Sequence, residues 1–323
     1  MEVFRYEKPL NLMQKSKRFG ILSATLVILS LGLIFTKGFN YGLDFAGGTL
    51  VQVHYAQKAP IDKVRQAIAK DAHYENASVT YFGNENEIII RTKNSSKSLG
   101  KDMGDTMREL LKGTGNLEVR RVDMVGAKVG SELREKGLMS LLLAIIGILI
   151  YVSFRFEWRF AVASVMALVH DVTIAMGAVV LFNVEVNLDT LAALLTILGY
   201  SLNDTIIVFD RIREGIQESK ESRLDKIINE SVTQTLSRTT LTSLTTFFVV
   251  LTLFLFGGEI ISGFSFTLLV GVVVGTYSSI FVASPVLMWL GFSVKDFREK
   301  EAEKRKREKE KEKMRAMYES GTL

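Results

Sequence analysis

Six stretches of this 323-residue chain carry almost no charge, and they leave few folds open to it. The uncharged runs are 19–36, 137–154, 160–169, 190–203, 239–258 and 260–294. A run of about 18 or more such residues is long enough to cross the hydrocarbon core as a helix. Four runs meet that length or nearly so. The other two meet it when each is extended across one charged site, 160–182 over His170-Asp171 and 190–209 over Asp204. The expected fold class is an α-helical polytopic membrane protein with six transmembrane helices. The first run ends in Phe35-Thr36-Lys37-Gly38-Phe39, which lacks a small-x-small cleavage site and reads as an uncleaved signal anchor.

Charge placement orients the spans. Lys8, Lys15, Lys17 and Arg18 precede the first one, which puts the N-terminus in the cytoplasm. The connections after the second span (Arg155, Arg159) and the fourth (Arg211, Arg213, Lys220, Arg223, Lys226) are basic and belong inside. Those at 183–189 and 257–263 hold acidic residues and no Lys or Arg, and belong outside. Trp158 and Trp289 fall at the cytoplasmic boundary, where indole rings favour the headgroup region. The net charge of +5 comes from basic residues crowded beside the spans, so a nucleic-acid partner is not implied.

Between the first two spans lies an extracytoplasmic segment of about a hundred residues. It reads as strands 49–55, 77–82, 87–92 and 117–125 with helices 61–71 and 98–112. That βαββαβ order is the ferredoxin-like arrangement, a small α+β domain whose fold does not specify a ligand. The division expected is therefore 1–18 cytoplasmic segment, 19–36 first helix, 37–136 outer domain, 137–292 helices two to six, and 293–323 a charged cytoplasmic tail. The tail alternates Lys/Arg with Glu, as a solvated, helix-forming segment that contacts a partner or a membrane surface.

Without cysteine the chain has no disulfide, thiolate metal site or cysteine nucleophile. It holds no G-x-x-x-x-G-K-[ST] loop, and no His/Asp/Glu spacing suggests a metal, so no enzymatic activity and no cofactor is expected. His54 and His73 read as ordinary residues of the outer domain.

What remains is ionisable residues inside the spans. A carboxylate at membrane depth costs a few kcal/mol (~3) unless it is protonated, paired or hydrated. Asp204 has Tyr200 and Ser201 on its face at i−4 and i−3, with Asn203 adjoining. It is either a proton-exchanging acid or a boundary residue that reaches water. Asp171, with His170, lies at the middle of the third span, where no end is within side-chain reach. The pair is either a proton relay or a structural link between helices. Arg238 enters the fifth span ahead of Thr239, Thr240, Thr242, Ser243, Thr245 and Thr246. Alone it would snorkel to the interface. Beside Asp204 it would favour the ionised carboxylate, while desolvation favours the neutral acid. Gly271, Gly275, Ser279 and Ala283 repeat every four residues and make a small-residue ridge for helix packing.

Several motifs in one order carry a resemblance: Gly42-Leu43-Asp44-Phe45-Ala46-Gly47-Gly48, Val125-Gly126-Ala127-Lys128-Val129-Gly130-Ser131-Glu132-Leu133, Tyr151-Val152-Ser153-Phe154-Arg155-Phe156-Glu157 and His170-Asp171. Leu202-Asn203-Asp204-Thr205, Val208-Phe209-Asp210-Arg211, Gln234-Thr235-Leu236-Ser237-Arg238-Thr239 and Val274-Gly275-Thr276-Tyr277-Ser278-Ser279-Ile280-Phe281 complete it. From about residue 10 to 292 the chain resembles the SecF family, the smaller membrane subunits of the bacterial SecD–SecF export complex and relatives of proton-driven RND transporters.

The resemblance implies a multi-pass protein of the bacterial inner membrane. It would work with SecD beside the SecYEG channel, with SecA and YajC as further partners, using the proton-motive force to assist a translocating polypeptide. By motif position Asp204 and Arg238 look like the proton-pathway pair, with protons as the coupling ion, and His170-Asp171 is similar to the family's element in the third span. Gly42, Asp44, Gly47 and Gly48 would form the exit from the first span, read here first as a structural turn that Asp44 caps. The alternative is an RND-type half-transporter for small molecules or lipids, which an apolar pocket in the outer domain would favour.

Overall fold

The computed structural model describes residues 9–71, 74, 77–92 and 103–319; His73 and positions 98–102 of the second domain helix lie outside the described residues. Among the described residues, six helices are long and apolar enough to cross a membrane. After a 3-10 turn at Met13–Lys15, α1 (Ser16–Lys37) leads through the short α2 (Leu43–Ala46) into the α/β domain. That domain runs β1 (Gly48–Tyr55), α3 (Ile61–Ile68), β2 (Ser78–Phe82), β3 (Asn84–Thr92), α4 (Met103–Leu111) and β4 (Leu117–Val125). The bundle continues with α5 (Ala127–Arg155), α6 (Trp158–Leu181), α7 (Leu188–Glu218), α8 (Leu224–Phe256) and α9 (Glu259–Ser278). A π-helical stretch, Ser279–Ala283, joins α9 to α10 (Ser284–Trp289), and the tail forms α11 (Val294–Glu319).

The sheet order is β2-β3-β1-β4 with every pair antiparallel, the ferredoxin-like topology. Alternation along β1 buries Val51, Val53 and Tyr55 on one face. Ile88 and Ile90 of β3 join them, and Val64, Ile68, Met107 and Leu111 of the two helices close the core.

In the bundle, α9 packs on α6, α7 and α8, and α1 packs on α6. Helices α1 and α6 approach closely at Gly177, where a Cβ would run into Ser30. Two segments extend further than apolar runs alone suggest. Helix α5 starts at Ala127, ten residues before the uncharged run, and α7 continues to Glu218, leaving only 219–223 as the connection to α8. The basic connection after the fourth span is thus mostly helix. Its charges pair along and between helices, as Arg211 with Glu214 at 2.6 Å and Asp210 with Arg155 at 2.6 Å.

Candidate functional site

Asp171 projects from the middle of α6 and is fully buried. Its Oδ1 lies 2.8 Å from His170 Nδ1. Its Oδ2 accepts from Ser201 Oγ of α7 at 2.5 Å and from Ser278 Oγ of α9 at 2.7 Å. The His170 ring stacks with Tyr277, centroids 6.2 Å apart, and its Nε2 is buried without a hydrogen-bond partner. The Tyr277 hydroxyl donates to the Phe19 carbonyl at 3.0 Å and lies 2.9 Å from Ser23 Oγ. One carboxylate thereby sits in a polar cluster linking α1, α6, α7 and α9.

Asp204, three residues beyond Ser201 on α7, is equally buried but faces α8. Its Oδ2 accepts from Ser243 Oγ at 3.2 Å, and Ser243 Oγ lies 2.8 Å from Thr276 Oγ1 of α9. Among the described residues neither carboxylate has a Lys or Arg ion-pair partner. Hydroxyls donate to a carboxylate and also accept from a carboxylic acid, so these shells can satisfy either protonation state. A bound guanidinium would have favoured the ionised one.

The expected Asp204–Arg238 pair is not formed. Arg238 is exposed, because the inward stripe of α8 runs through Thr235, Thr239 and Ser243 and turns residues 238 and 242 outward. Ser201 serves Asp171 rather than Asp204, the Tyr200 hydroxyl is buried without a partner, and Asn203 is exposed. Gly271 and Gly275 face α7: a Cβ on the first would collide with Ile197, and one on the second would stand 3.0 Å from Ser201 Cβ. This close contact lets Ser201 and Ser278 converge on one carboxylate oxygen. Ser279 is buried at the start of the π-helical stretch, a feature frequent at functional positions.

Sequence reasoning missed Ser278, Tyr277 and Thr276 as site residues, and Ser243 as the α8 partner of Asp204. The first three sit inside a quoted motif, but the glycine ridge beside them drew the packing interpretation. Ser243 was one hydroxyl among several, and only helix register singles it out.

The glycine motif lies at the domain end of the bundle. Gly47 has φ +70°, and a Cβ there would stand 2.7 Å from Ala127 Cα. Gly130 of α5 packs as tightly, 3.0 Å from Gly47 N by the same construction. Asp44 does not cap its own turn; its Oδ2 accepts from the Leu188 N–H at 3.0 Å, at the start of α7.

Fold and site define a class: a polytopic membrane protein with a ferredoxin-like domain after its first helix and an acid centre enclosed by its bundle. Residues 106–293 match the family described as protein export membrane protein SecD/SecF, C-terminal, and 32–59 match the SecD/SecF GG motif. The protein translocase subunit SecF of Helicobacter pylori strain J99 is 51% identical over 99% of both chains. That of Calditerrivibrio nitroreducens is 44% identical over 93% of this chain and 99% of its own. The crystal structure of SecDF from Thermus thermophilus superposes with a TM-score of 0.79 at 35% identity, over 88% of this chain and 39% of that one. A super-membrane-facing form of SecDF gives 0.67 at 32% identity, over 94% of this chain and 41% of that one. The chain belongs to the SecD/SecF family of protein export membrane proteins, as a SecF-type member, and spans about two-fifths of the SecDF chains it matches.

Proposed function

We propose that this chain acts in Sec-dependent protein export as the SecF-type half of a SecD–SecF assembly, with Asp171 and Asp204 exchanging protons drawn by the proton-motive force. The observation that carries this reading is the pair of fully buried carboxylates at the contact of α6, α7, α8 and α9, which among the described residues have no Lys or Arg partner and are held by hydroxyls of neighbouring helices, with His170 beside Asp171. Gain or loss of a proton changes which hydrogen bonds those hydroxyls make, and the four helices repack. The α/β domain, on the outer face with both termini in the cytoplasm, follows and engages the emerging polypeptide.

The driving force is sufficient. A full charge crossing 100 mV supplies about 2.3 kcal/mol, which shifts a two-state equilibrium up to roughly fifty-fold. Arg238 and Asn203, exposed on neighbouring helices, would face a SecD-type partner or water, and Arg238 joins the pathway only in the assembled complex. SecYEG, SecA and YajC are the further partners this role requires, within the bacterial inner membrane. A porter of small molecules is the weaker reading: the recess of the α/β domain is lined mostly by polar and charged residues, Asp105, Arg108, Glu109, Lys112 and Asn116 with Leu117. The apolar cleft that includes Phe39, Tyr41, Phe45, Leu138 and Leu191 lies at the junction with the bundle rather than within the sheet and its helices.

The test is export into vesicles carrying the complete SecD–SecF assembly and the channel. Asp204→Asn and Asp171→Asn are expected to abolish the stimulation by a proton gradient while ATP-driven export persists. Undiminished stimulation in both variants would refute the proton role.

A further inference from the structure

The α/β domain meets the bundle at the loop joining α6 to α7, the two helices that carry Asp171 and Asp204. There, residues 40–44 and 184–188 run side by side. Tyr41 and Val186 form a parallel bridge, the Gly42 N–H donates to the Val186 carbonyl at 2.9 Å, and the Val186 N–H donates to the Asn40 carbonyl at 2.8 Å. This backbone strap lies where the chain enters the domain, and the exit from β4 into α5 packs beside it, with Ala127 and Gly130 against Gly47; neither contact involves β3.

A second attachment comes from the sheet itself. Arg91, near the end of β3, forms an ion pair with Glu185, the residue next to the bridge. The two side chains are 33% and 29% exposed, so the pair is largely shielded from water. Burial pushes the Arg91 guanidinium down, and the Glu259 carboxylate at the start of α9 opposes that. Arg91 Nε is buried without a partner, which leaves the guanidinium donor capacity beyond Glu185. The ion-pair partner of Arg91 comes from the α6–α7 loop.

We propose that Arg91 is the positioning residue that locks the α/β domain onto the bundle, through Glu185 of the α6–α7 loop. The strap fixes where the domain attaches and the ion pair fixes its angle. Displacements of the α6–α7 loop therefore reach β3 directly through this pair, in addition to the strap at the domain's entry. The lock is a property of the chain's own geometry and holds whatever moves the helices.

The chain lacks cysteine, so labels can be placed at will. Spin labels at Thr80→Cys on β2 and Phe256→Cys at the end of α8, both exposed, report the angle by distance measurement on the complete assembly in lipid nanodiscs with any partner cysteines removed. The native pair should give one narrow distribution. Arg91→Glu should broaden it at least twofold, Glu185→Gln should broaden it to a lesser degree, and Arg91→Glu with Glu185→Arg should restore it. A mere packing role for Arg91 would not be rescued by the exchange. An unchanged distribution in Glu185→Gln, or failure of the exchange to restore the narrow one, overturns the lock. The readout needs neither a proton gradient nor export, so it stands or falls apart from the proton role.

Discussion

Ser201 Oγ donates to Asp171 Oδ2 at 2.5 Å, from the same helix that carries Asp204 three residues on. Helix α7 therefore supplies one buried acid and a ligand to the other. Ser201→Ala would leave the fully buried Asp171 short of a donor, at a cost of about 1–3 kcal/mol. Thermal unfolding in detergent should show that loss. Ser278→Ala, acting on the same oxygen, should combine with it non-additively, and strictly additive losses would show that the two hydroxyls do not share a site.

The α7–α9 contact depends on the absence of side chains. A Cβ at Gly271 runs into Ile197, so Gly271→Val should destabilise the bundle by about 1–3 kcal/mol. Shortening the obstructing residue in the double variant Gly271→Val, Ile197→Ala should recover part of the loss. The comparison is of midpoints of unfolding, and a double variant weaker than the sum of the singles would contradict the geometry.

Asp44 belongs electrostatically to α7 although it lies some 140 positions earlier, at 144 residues' separation from Leu188. Together with Asn187, whose side chain accepts from the Thr190 N–H at 2.9 Å, it occupies two of the helix's free N–H groups. Asp44→Ala should cost about 0.5–2 kcal/mol and, more specifically, speed hydrogen exchange at the Leu188 amide while leaving that of Thr190 protected.

The sequence makes the six spans and the ferredoxin-like order legible because each rests on periodicity: long apolar runs for helices, alternation at Val51, Val53 and Tyr55 for a strand. Helix ends were less legible. The apolar run of the second span starts at residue 137, yet α5 starts at Ala127, since Gly130 packs against the glycine motif and extends the helix into a polar region. At the site, the unusual residues could be named but not their partners. Arg238 and Ser243 both lie on a hydroxyl-rich helix, and only the rotation of α8 about its axis places one beside Asp204 and the other outside. Ser201 was attributed to Asp204 by its spacing along one helix, whereas packing between helices hands it to Asp171.

In the α/β domain, burial raises Tyr55 above the usual phenol value, with a smaller opposing contribution from its hydrogen bond to Thr114, and burial raises Tyr74 likewise. A raised folded value means that the fold favours the protonated phenol. The stabilisation is whole below about pH 10 and is lost as pH climbs from there through the folded value. Tyr55→Phe should flatten the alkaline fall in stability of this domain, followed by proteolysis of the domain at increasing pH.

The tail is fastened at its base by one arginine. Arg298 donates from Nε to the Ile216 carbonyl at 2.7 Å, and from Nη2 to the carbonyls of Ser219 at 2.6 Å and Glu221 at 2.7 Å. These lie at the end of α7 and in the turn to α8, where helix carbonyls lack intrahelical partners and a cation is favoured. Lys in its place keeps the charge but loses the planar fork that reaches several carbonyls together. Arg298→Ala should therefore free α11 to protease attack near its start, Arg298→Lys should restore protection only in part, and Lys309→Ala on the exposed outer half should change nothing. Equal protection in the Ala and native chains would mean that the flanking pairs, Arg213 with Glu301 and Lys300 with Glu157, hold the tail without it.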